Sequence, residues 1–443
     1  MNTIDSQLKI VVGLGKTGTA CVRYLHQQGH KIAVVDSRTD PPGFQEIQQK
    51  FPEIPLHLGN FHPEILSQAN ELIVSPGISL REPALAECLH RGSKVIGEVE
   101  LFAQAAQAPI VAITGSNGKS TVASLVGMMA TIAGKKVKVG GNIGTPMLDL
   151  LEPNVDLYVL ELSSFQLETA TTLKPTVAVV LNIAEDHMDR YSNLHEYRST
   201  KQRIYKNSAT AVINRQDLLS YQNVSLPTQV ISFGLNIPQR NNFGTISGYL
   251  SYGNNKLLSS NDLKIKGSHN VANALAALAL GSAINLPMTA MLQALRNFTG
   301  LPHRCQWVTN INGVTWYNDS KGTNIGATKA AIEGLGTTTN GKIVLIAGGI
   351  GKGADFTELC DVVAKYVRAI VLFGKDATLI DHALNNVSKI YHAASLTEAI
   401  AISKTITLTN DTVLFSPACA SFDMFTDFAQ RGDVFMAELM HKP

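Results

Sequence analysis

Short apolar runs rich in β-branched residues recur along the chain and alternate with segments of helical periodicity. Near-continuous apolar runs of this kind are typical of strands buried on both faces of a parallel sheet. The alternation therefore predicts an α/β protein in which helices cover parallel sheets. The runs cover residues 9–12, 31–35, 71–74, 110–114, 157–160, 176–181, 342–347, 369–373 and 412–415.

The order of these elements divides the chain into three segments. A chain of 443 residues is too long for one ordinary core. A fifth short strand, "SKVIG", closes the first segment, and "FTGLPHR" at 298–304 has the Gly and Pro of a hinge. Between them, residues 239–266 are rich in Gly, Asn and Ser and predict a β-hairpin or a small added sheet. The predicted domains are 1–97, 98–301 and 302–443.

Composition excludes several classes of protein. Apolar residues make up 45% of the chain and charged residues 16%, and the net charge of +2 includes no strongly basic block. This balance argues against a dedicated nucleic-acid or membrane-surface binder. The five cysteines are scattered without a C-x-x-C pair, so we expect a reducing cytoplasm and neither a zinc site nor a disulfide framework. The sequence also lacks a signal-peptide pattern and the roughly 20 apolar residues in a row that span a bilayer.

The stretch "LKIVVGLGKTG" at residues 8–18 leads from an apolar strand into three glycines with the spacing of a dinucleotide-binding loop. Asp36 ends the next strand, 18 residues after Gly18. In a dehydrogenase such an acid holds the adenosine ribose. Taken alone, this stretch predicts a site for a nucleotide diphosphate, and NAD is one candidate.

A second glycine loop, "GSNGKST" at residues 115–121, follows another apolar run and leads into a helix. Small residues let backbone N–H groups converge on phosphate oxygens, and the helix N-terminus favours negative charge. Lys119 can neutralise phosphates, and the hydroxyl of Ser120 or Thr121 can bind Mg²⁺. The loop is shorter than a strict P-loop, so an ordinary Gly-rich turn is the alternative.

Polar residues that follow two other strands are candidates for binding near the phosphates. Glu161 ends one apolar run, and the cluster "EDH" at 185–187 follows another. Ligands bind beyond the carboxyl ends of strands in such sheets. Because Mg²⁺ prefers oxygen, Glu161 is a natural ligand, whereas His187 alone would more often cap a helix or orient a neighbour.

The predicted helix "YRSTKQRIYKN" carries Lys201, Arg203 and Lys206. By composition alone they form a solvated face. Nothing in the residue pattern itself selects Lys201 from the other two.

Nine motifs occur together and in a fixed order: "TGSNGKST", "GGNIG", "LELSSFQLE", "LNIAEDHMDRY", "YRSTKQRIY", "SHNVANALAA", "GLPHR", "NDSKGTN" and "SPACASFDMF". In this combination the chain resembles the Mur ligases, the ATP-dependent amide-forming enzymes of peptidoglycan precursor synthesis. The resemblance extends from residue 10 to about residue 435. Within this family, the chain is most similar to the branch that adds D-glutamate to UDP-N-acetylmuramoyl-L-alanine.

The resemblance implies three domains: a UDP-binding Rossmann-like domain, a central P-loop-type ATPase domain and a C-terminal Rossmann-like domain for the amino acid. It implies that ATP phosphorylates the substrate carboxylate and that the amine of D-glutamate attacks the acyl phosphate, giving ADP and phosphate. It further implies a cytoplasmic enzyme of cell-wall biogenesis, with roles in cell shape and cell division. We expect a monomer that uses neither nucleic acid nor membrane insertion.

The resemblance also implies which residues serve ATP and two Mg²⁺ ions. Ser120 and Glu161 would serve the first ion, and His187 and Lys201 the second, with Lys119, His187 and Lys201 as the catalytic residues. Lys201 would carry a CO₂-derived carbamate, which replaces a cation with an oxygen ligand. The implied ATP-binding set is Gly115, Ser116, Asn117, Gly118, Lys119, Ser120, Thr121, Asn273, Arg304, Asp319 and Lys321.

Within the ATP-binding set, the planar fork of Arg304 suits the γ-phosphate, and a hinge ion pair is its alternative role.

Two further sets are implied for the substrates. Lys352 suits the side-chain carboxylate of D-glutamate, and its alternative role is that of a solvent-facing loop lysine. The implied residues are Lys16, Thr17, Asp36, Ser37, Arg38, Gly77 and Asn142 for the UDP-substrate, and Thr323, Lys352, Ser421 and Phe422 for D-glutamate.

Three other functions compete with this interpretation. A sister ligase could add another amino acid, or glutamate to folate. A Rossmann oxidoreductase with a chance phosphate loop would bind NAD(P)H. A non-catalytic nucleotide switch would form no amide, although Glu161, His187 and Lys201 in one chain favour chemistry.

Overall fold

The computed structural model describes residues 7–265, 267–337 and 339–440. It contains three domains, each built around its own sheet, as the sequence predicts. The nine predicted runs are all strands, and their ends differ from the prediction by at most two residues. The outer ends of the first and third predicted domains, 1–6 and 441–443, lie outside the described residues.

The N-terminal domain is a five-stranded parallel sheet in the order β3-β2-β1-β4-β5. The strand order reverses beside β1, and the first glycine loop lies at the carboxyl end of that strand, where doubly wound sheets bind ligands. Its strands are β1 (Leu8–Val12), β2 (Lys31–Asp36), β3 (Leu56–Leu58), β4 (Glu71–Val74) and β5 (Lys94–Ile96). Its helices are α1 (Lys16–Gln27), α2 (Phe44–Lys50), α3 (Pro63–Leu66) and α4 (Pro83–His90).

The central domain has a six-stranded parallel sheet in the order β11-β10-β9-β6-β8-β7. β6, β8 and β9 are buried along their whole length because helices cover both faces. The strands are β6 (Ile110–Thr114), β7 (Val137–Gly141), β8 (Leu157–Glu161), β9 (Val177–Val180), β10 (Thr210–Asn214) and β11 (Gln229–Phe233). The helices are α5 (Glu98–Ala105), α6 (Lys119–Ile132), α7 (Ser164–Leu167), α8 (Leu194–Gln202), α9 (Ser268–Ala283) and α10 (Met288–Asn297).

The predicted added sheet of the central domain is confirmed. Three antiparallel strands form it: β12 (Phe243–Ile246), β13 (Tyr249–Tyr252) and β14 (Asn255–Ser259). Residue 266, the last of the predicted stretch, lies outside the described residues.

The C-terminal domain has a six-stranded sheet in the order β15-β16-β20-β17-β18-β19, parallel except for the β15–β16 hairpin at one edge. Its strands are β15 (Gln306–Ile311), β16 (Val314–Asn318), β17 (Ile343–Ala347), β18 (Val367–Leu372), β19 (Lys389–His392) and β20 (Thr412–Phe415). Its helices are α11 (Ile325–Gly336), α12 (Cys360–Tyr366), α13 (Ala377–Leu384), α14 (Leu396–Ile406) and α15 (Phe428–Met440). Across the described parts of all three domains, no helix has both the length and the apolarity that a membrane span requires.

Candidate active site

The second glycine loop joins the carboxyl end of β6 to the first residue of α6. Gly115 and Gly118 have φ angles of +149° and +82°, which residues with a side chain rarely adopt. A Cβ on Gly118 would lie 2.4 Å from Oδ1 of Asn273, so this side chain packs directly over the loop. The carboxamide of Asn182, just after β9, accepts from the Asn117 N–H at 2.8 Å and donates to the Asn117 carbonyl at 3.1 Å. The glycine conformations and the side chains of Asn182 and Asn273 therefore fix the shape of the loop.

A cavity of about 460 Å³ lies above this loop, between the central and C-terminal domains. It brings together residues that are as far apart in sequence as Ser116 and Thr323. The candidate residues that line it are Ser116, Asn117, Gly118, Lys119, Thr121, Asn142, Glu161, His187, Lys201, Asn273, Arg304, Asp319, Lys321 and Thr323.

Ser120 connects an acid of the central domain to an arginine of the C-terminal domain. Its Oγ donates to Oε2 of Glu161 at 2.5 Å and accepts from Nη2 of Arg304 at 2.6 Å. The other carboxylate oxygen of Glu161 accepts from Asn142 at 2.8 Å. Burial would raise the pKa of Glu161, but the charge of Lys119 and these hydrogen bonds hold it below its usual value. Glu161 is therefore an ionised oxygen donor beside a hydroxyl.

Lys201 is buried, so the expectation of a solvated face is wrong for this residue, although Arg203 and Lys206 are exposed. Lys201 follows Tyr197 by one helical turn of α8, and both side chains point toward the glycine loop. Its Nζ donates to the carbonyl of Gly115 at 3.0 Å and lies 4.7 Å from the centre of the Tyr197 ring. Burial, reinforced by the charge of Lys119, places the pKa of Lys201 well below its usual value.

Asp186 and His187 lie opposite this lysine, on the loop that follows β9. Nζ of Lys352 is 2.5 Å from Oδ1 of Asp186, and the Asn324 amide donates to Oδ2 at 3.2 Å. Burial would raise the pKa of Asp186, but Lys352 and His187 lower it to about 2. Burial lowers the pKa of His187 to about 4, despite the opposing effect of Asp186, so its imidazole is neutral at pH 7. Its ring meets the edge of Phe165, with centroids 4.8 Å apart.

Asp319 and Lys321 form the C-terminal wall of the cavity. Burial raises the pKa of Asp319 to about 6, although Ser416 donates to it at 2.7 Å. Burial, with the charges of Arg304 and Lys119, lowers the pKa of Lys321 to about 8. Its ammonium lies 3.8 Å from the centre of the Phe428 ring. Several cations therefore converge on one cavity, as binding of a polyphosphate requires.

The residues expected for the amino acid are only partly assembled around the cavity. Thr323 lines it, and Lys352 reaches it through Asp186, so Lys352 is not a solvent-facing loop lysine. Ser421 and Phe422 are not among the described residues that line the cavity. Ser421 is buried, whereas the side chain of Phe422 is exposed.

The first glycine loop lies in the N-terminal domain, apart from this cavity. A Cβ on Gly18 would lie 1.8 Å from the Gly13 carbonyl, whereas one on Gly15 would have no neighbour within 4 Å. Gly15 therefore faces open space. Both oxygens of Asp36 are engaged, accepting from the Leu14 N–H at 2.7 Å and from the Arg38 side chain at 2.9 and 2.7 Å. Asp36 thus orients Arg38 and the loop in this structure.

The remaining candidates for the UDP-substrate lie around this loop. Nζ of Lys16 donates to the Gly144 carbonyl of the central domain at 2.6 Å, and Thr17 is half-buried at the start of α1. Ser37 and Gly77 are exposed. Gly144 belongs to the same loop as Asn142, so one loop of the central domain contacts both the cavity and the N-terminal domain.

Asn182, at the cavity, was not selected from the sequence, and Asp186 was named there only as part of the cluster at 185–187, without a role of its own. Both follow the buried run of β9, which is the signal that could have selected them. Among the described residues, no group of three or more His, Cys, Asp or Glu side chains is arranged to hold a metal. A Mg²⁺ site built from one carboxylate, a hydroxyl and substrate phosphates does not need such a group.

Three family models match the chain. They describe the Mur ligase MurD-like N-terminal domain over residues 7–97, the Mur ligase middle domain over 113–281, and the Mur ligase glutamate ligase domain over 303–419. The chain belongs to the Mur ligase family. This Mur ligase is 51% identical over 435 residues to UDP-N-acetylmuramoylalanine–D-glutamate ligase of Pseudomonas aeruginosa, covering 97% of each chain. It is 50% identical over 436 residues to the ligase of the same name from Marinobacter nauticus, covering 98% of each chain.

Solved structures show the same fold at low sequence identity. A pseudomurein peptide ligase type C from Methanothermus fervidus aligns with a TM-score of 0.64 at 16% identity, covering 98% of this chain and 100% of that one. UDP-N-acetylmuramate-alanine ligase MurC from Thermotoga maritima aligns with a TM-score of 0.62 at 19% identity, covering 98% and 99%. These two likenesses concern the fold alone.

Proposed function

We propose that this Mur ligase joins D-glutamate to UDP-N-acetylmuramoyl-L-alanine, with cleavage of ATP to ADP and phosphate, in peptidoglycan precursor synthesis. The choice of substrates is supported by relatives that carry this activity in their names and share about half of their residues with the chain along nearly its whole length. One observation supports the reaction class, an ATP-dependent ligation. Arg304 of the C-terminal domain donates to Ser120 in the glycine loop of the central domain at 2.6 Å.

The reaction follows from the chemistry of carboxylates. A carboxylate resists attack by an amine because the attack adds negative charge to an anion. Transfer of the γ-phosphoryl group to a carboxylate oxygen, with ADP leaving, removes that charge and gives an acyl phosphate. The amine nitrogen of D-glutamate then bonds to the acyl carbon, loses a proton and expels phosphate. The protein must hold the reacting groups in line and stabilise the dispersed negative charge.

The donor set suits ATP and Mg²⁺. Lys119 donates to the carbonyls of Gly115 and Ser116, both at 2.9 Å, so its ammonium lies over the loop where phosphates would bind. Ser120 and Glu161 offer a hydroxyl and an ionised carboxylate side by side, and His187 offers a neutral imidazole. Bound Mg²⁺ would supply neutralisation of the phosphate charge. We assign the second ion to His187 and Lys201.

A carbamate on Lys201 is also part of the proposal. CO₂ reacts with a neutral amine, and burial of Lys201 favours the neutral form. The carbamate retains one N–H, which can keep the hydrogen bond to the Gly115 carbonyl. It would bring two oxygen atoms into the cavity in place of a cation.

The two substrates would bind on either side of the ATP site. We assign the UDP-substrate to Lys16, Thr17, Asp36, Ser37, Arg38, Gly77 and Asn142, with Asp36 acting through Arg38. We assign D-glutamate to Thr323, Lys352, Ser421 and Phe422. The domain boundaries that accompany this assignment are 1–97, 98–301 and 302–443.

Mass spectrometry of a complete reaction tests the proposal. Enzyme, ATP, Mg²⁺, D-glutamate and UDP-N-acetylmuramoyl-L-alanine should give UDP-N-acetylmuramoyl-L-alanyl-D-glutamate and ADP. Lys119→Ala should abolish the product, whereas Lys135→Ala, a change at an exposed lysine, should not. Product formation with L-alanine, meso-diaminopimelate or L-glutamate, and none with D-glutamate, would overturn the substrate assignment. Saturable NAD(P)H binding without amide formation would overturn the reaction class.

A further inference from the structure

Arg190 links the N-terminal domain to the central domain. It follows His187 by three residues, and its side chain is only 12% exposed. Its Nη1 donates to the Pro76 carbonyl at 2.9 Å, and its Nη2 donates to the Ile78 carbonyl at 3.2 Å. Nη2 also donates to Oε2 of Glu168 at 2.7 Å. One guanidinium thus holds the 76–78 loop of one domain and an acid of the other.

The same guanidinium packs against the segment that carries the metal-binding candidates. Its central carbon lies 4.1 Å from the centre of the Phe165 ring, and that ring meets His187 edge-on. Phe165 belongs to α7, which begins three residues after Glu161 and is fixed by a capping box at Ser163. Arg190 therefore contacts the short helix that follows Glu161. The Phe165 ring contacts both the Arg190 guanidinium and the His187 imidazole.

The 76–78 loop and Ser75, which precedes it, support the first glycine loop. Oγ of Ser75 donates to the Gly13 carbonyl at 2.7 Å, and a Cβ on Gly13 would lie 2.5 Å from Cδ1 of Ile78. Gly77, between the two carbonyls that Arg190 binds, is exposed and has open space around its Cα. A displacement of this loop would therefore change the shape of the diphosphate site.

We propose that Arg190 is a positioning residue that fixes the UDP-substrate loop of the N-terminal domain relative to Glu161 and His187. It contacts neither set of reacting atoms and acts through the 76–78 loop and Phe165. The inference rests on the proposed function, because it concerns how the UDP-substrate is presented to the ATP site. Arginine suits this role because its planar fork donates in several directions at once, whereas a lysine ammonium at the same place satisfies fewer of the three acceptors.

Arg81 provides a matched control at the same domain boundary. It also reaches from the N-terminal to the central domain, donating to the Arg190 carbonyl and to Ser192, and it pairs with Glu196. Its side chain is 58% exposed, and none of these contacts involves the 76–78 loop or Phe165. Its loss removes an interdomain arginine without releasing the substrate loop.

Steady-state kinetics with each substrate varied in turn tests the proposal. Arg190→Met should raise the KM for the UDP-substrate by about tenfold to a hundredfold and leave the KM for ATP within about twofold. Arg190→Lys should restore part of the loss, and Arg81→Ala should behave like the wild type. Equal changes in the KM of all three substrates, or a loss of melting temperature in both variants with unchanged kinetics, would overturn the positioning role. A wild-type enzyme that forms no product would instead refute the proposed function.

Discussion

Lys352 and Asp186 form an ion pair across the boundary between the C-terminal and central domains, with Nζ 2.5 Å from Oδ1. Both side chains are largely buried, at 16% and 10% exposure. The cation assigned to an incoming carboxylate therefore already has a carboxylate partner in this structure. D-glutamate, which carries an ammonium and two carboxylates, can offer each member of the pair a replacement.

Removal of this cation should weaken binding of the amino acid selectively. We expect Lys352→Ala to raise the KM for D-glutamate by about tenfold or more, because a charge-assisted contact in a largely buried site is lost. The KM for ATP should change little. Lys375→Ala, at an exposed position on a neighbouring loop of the same domain, serves as the control. An unchanged KM for D-glutamate would remove Lys352 from the amino-acid site.

Loss of the buried amine of Lys201 should abolish most activity and allow chemical rescue. We expect Lys201→Ala to lower kcat by about a hundredfold or more, because the proposed carbamate oxygens are lost. Short carboxylic acids, which supply a carboxylate to the vacated space, should restore part of the rate. Lys206→Ala, five residues further along the chain and exposed, should retain full rate. Full activity of the Lys201 variant would discard the metal-binding role.

Loss of the guanidinium beside Ser120 should slow phosphoryl transfer. We expect Arg304→Ala to lower kcat by about a hundredfold to a thousandfold, because a donor aimed at developing negative charge is removed. ADP release at saturating substrates measures this effect. Arg296→Ala removes an exposed arginine from α10 and should leave ADP release unchanged. A rate for the Arg304 variant within threefold of the wild type would restrict this arginine to a structural role.

A buried carboxylate in the C-terminal domain makes stability depend on pH. Arg368 donates to both oxygens of Asp411 at 2.7 and 3.0 Å, and the backbone N–H groups of Lys342 and Leu408 also donate. Burial would raise the pKa of Asp411, but these bonds lower it below its usual value. The stabilisation is therefore complete above the unfolded-state pKa of about 3.9 and is lost as the pH falls through the folded-state pKa.

Melting temperatures test this dependence. Asp411→Asn should destabilise the domain by about 2 kcal/mol at pH 7, and its difference from the wild type should shrink as the pH falls below about 4. Asp381→Asn, which affects an exposed pair with His392, should alter stability by less than about 0.5 kcal/mol. A gap between Asp411→Asn and the wild type that stays constant with pH would contradict the assignment.

The local pattern of apolar residues was sufficient to predict much of the fold. Buried parallel strands are apolar along their whole length, so β6, β8, β9 and β17 stand out in the sequence. Several other strands, among them β7, β15 and β19, were not predicted. They lie at sheet edges, where half-exposed positions carry Lys, Gly, Gln and His and mask the pattern.

The location of candidate-site residues could be predicted where they lie at the end of a strand, as Glu161 does, or in a glycine loop, as Lys119 does. The burial of Lys201 could not be predicted, because composition cannot show which face of a short polar helix turns inward. The roles of Arg190 and of the pair between Asp186 and Lys352 depend on how domains meet. Their partners in the other domain are more than a hundred residues away in sequence, so no local pattern encodes them.

The convergence of cations on the cavity has a practical consequence for assays. Burial and repulsion by neighbouring cations lower the pKa values of Lys119 and Lys321, so an anion that enters the cavity offsets this repulsion. We therefore expect phosphate or sulfate in a buffer to compete with ATP and to raise the melting temperature. Affinities for nucleotides measured in such buffers will be too low, and a melting-temperature screen will report small oxyanions as hits.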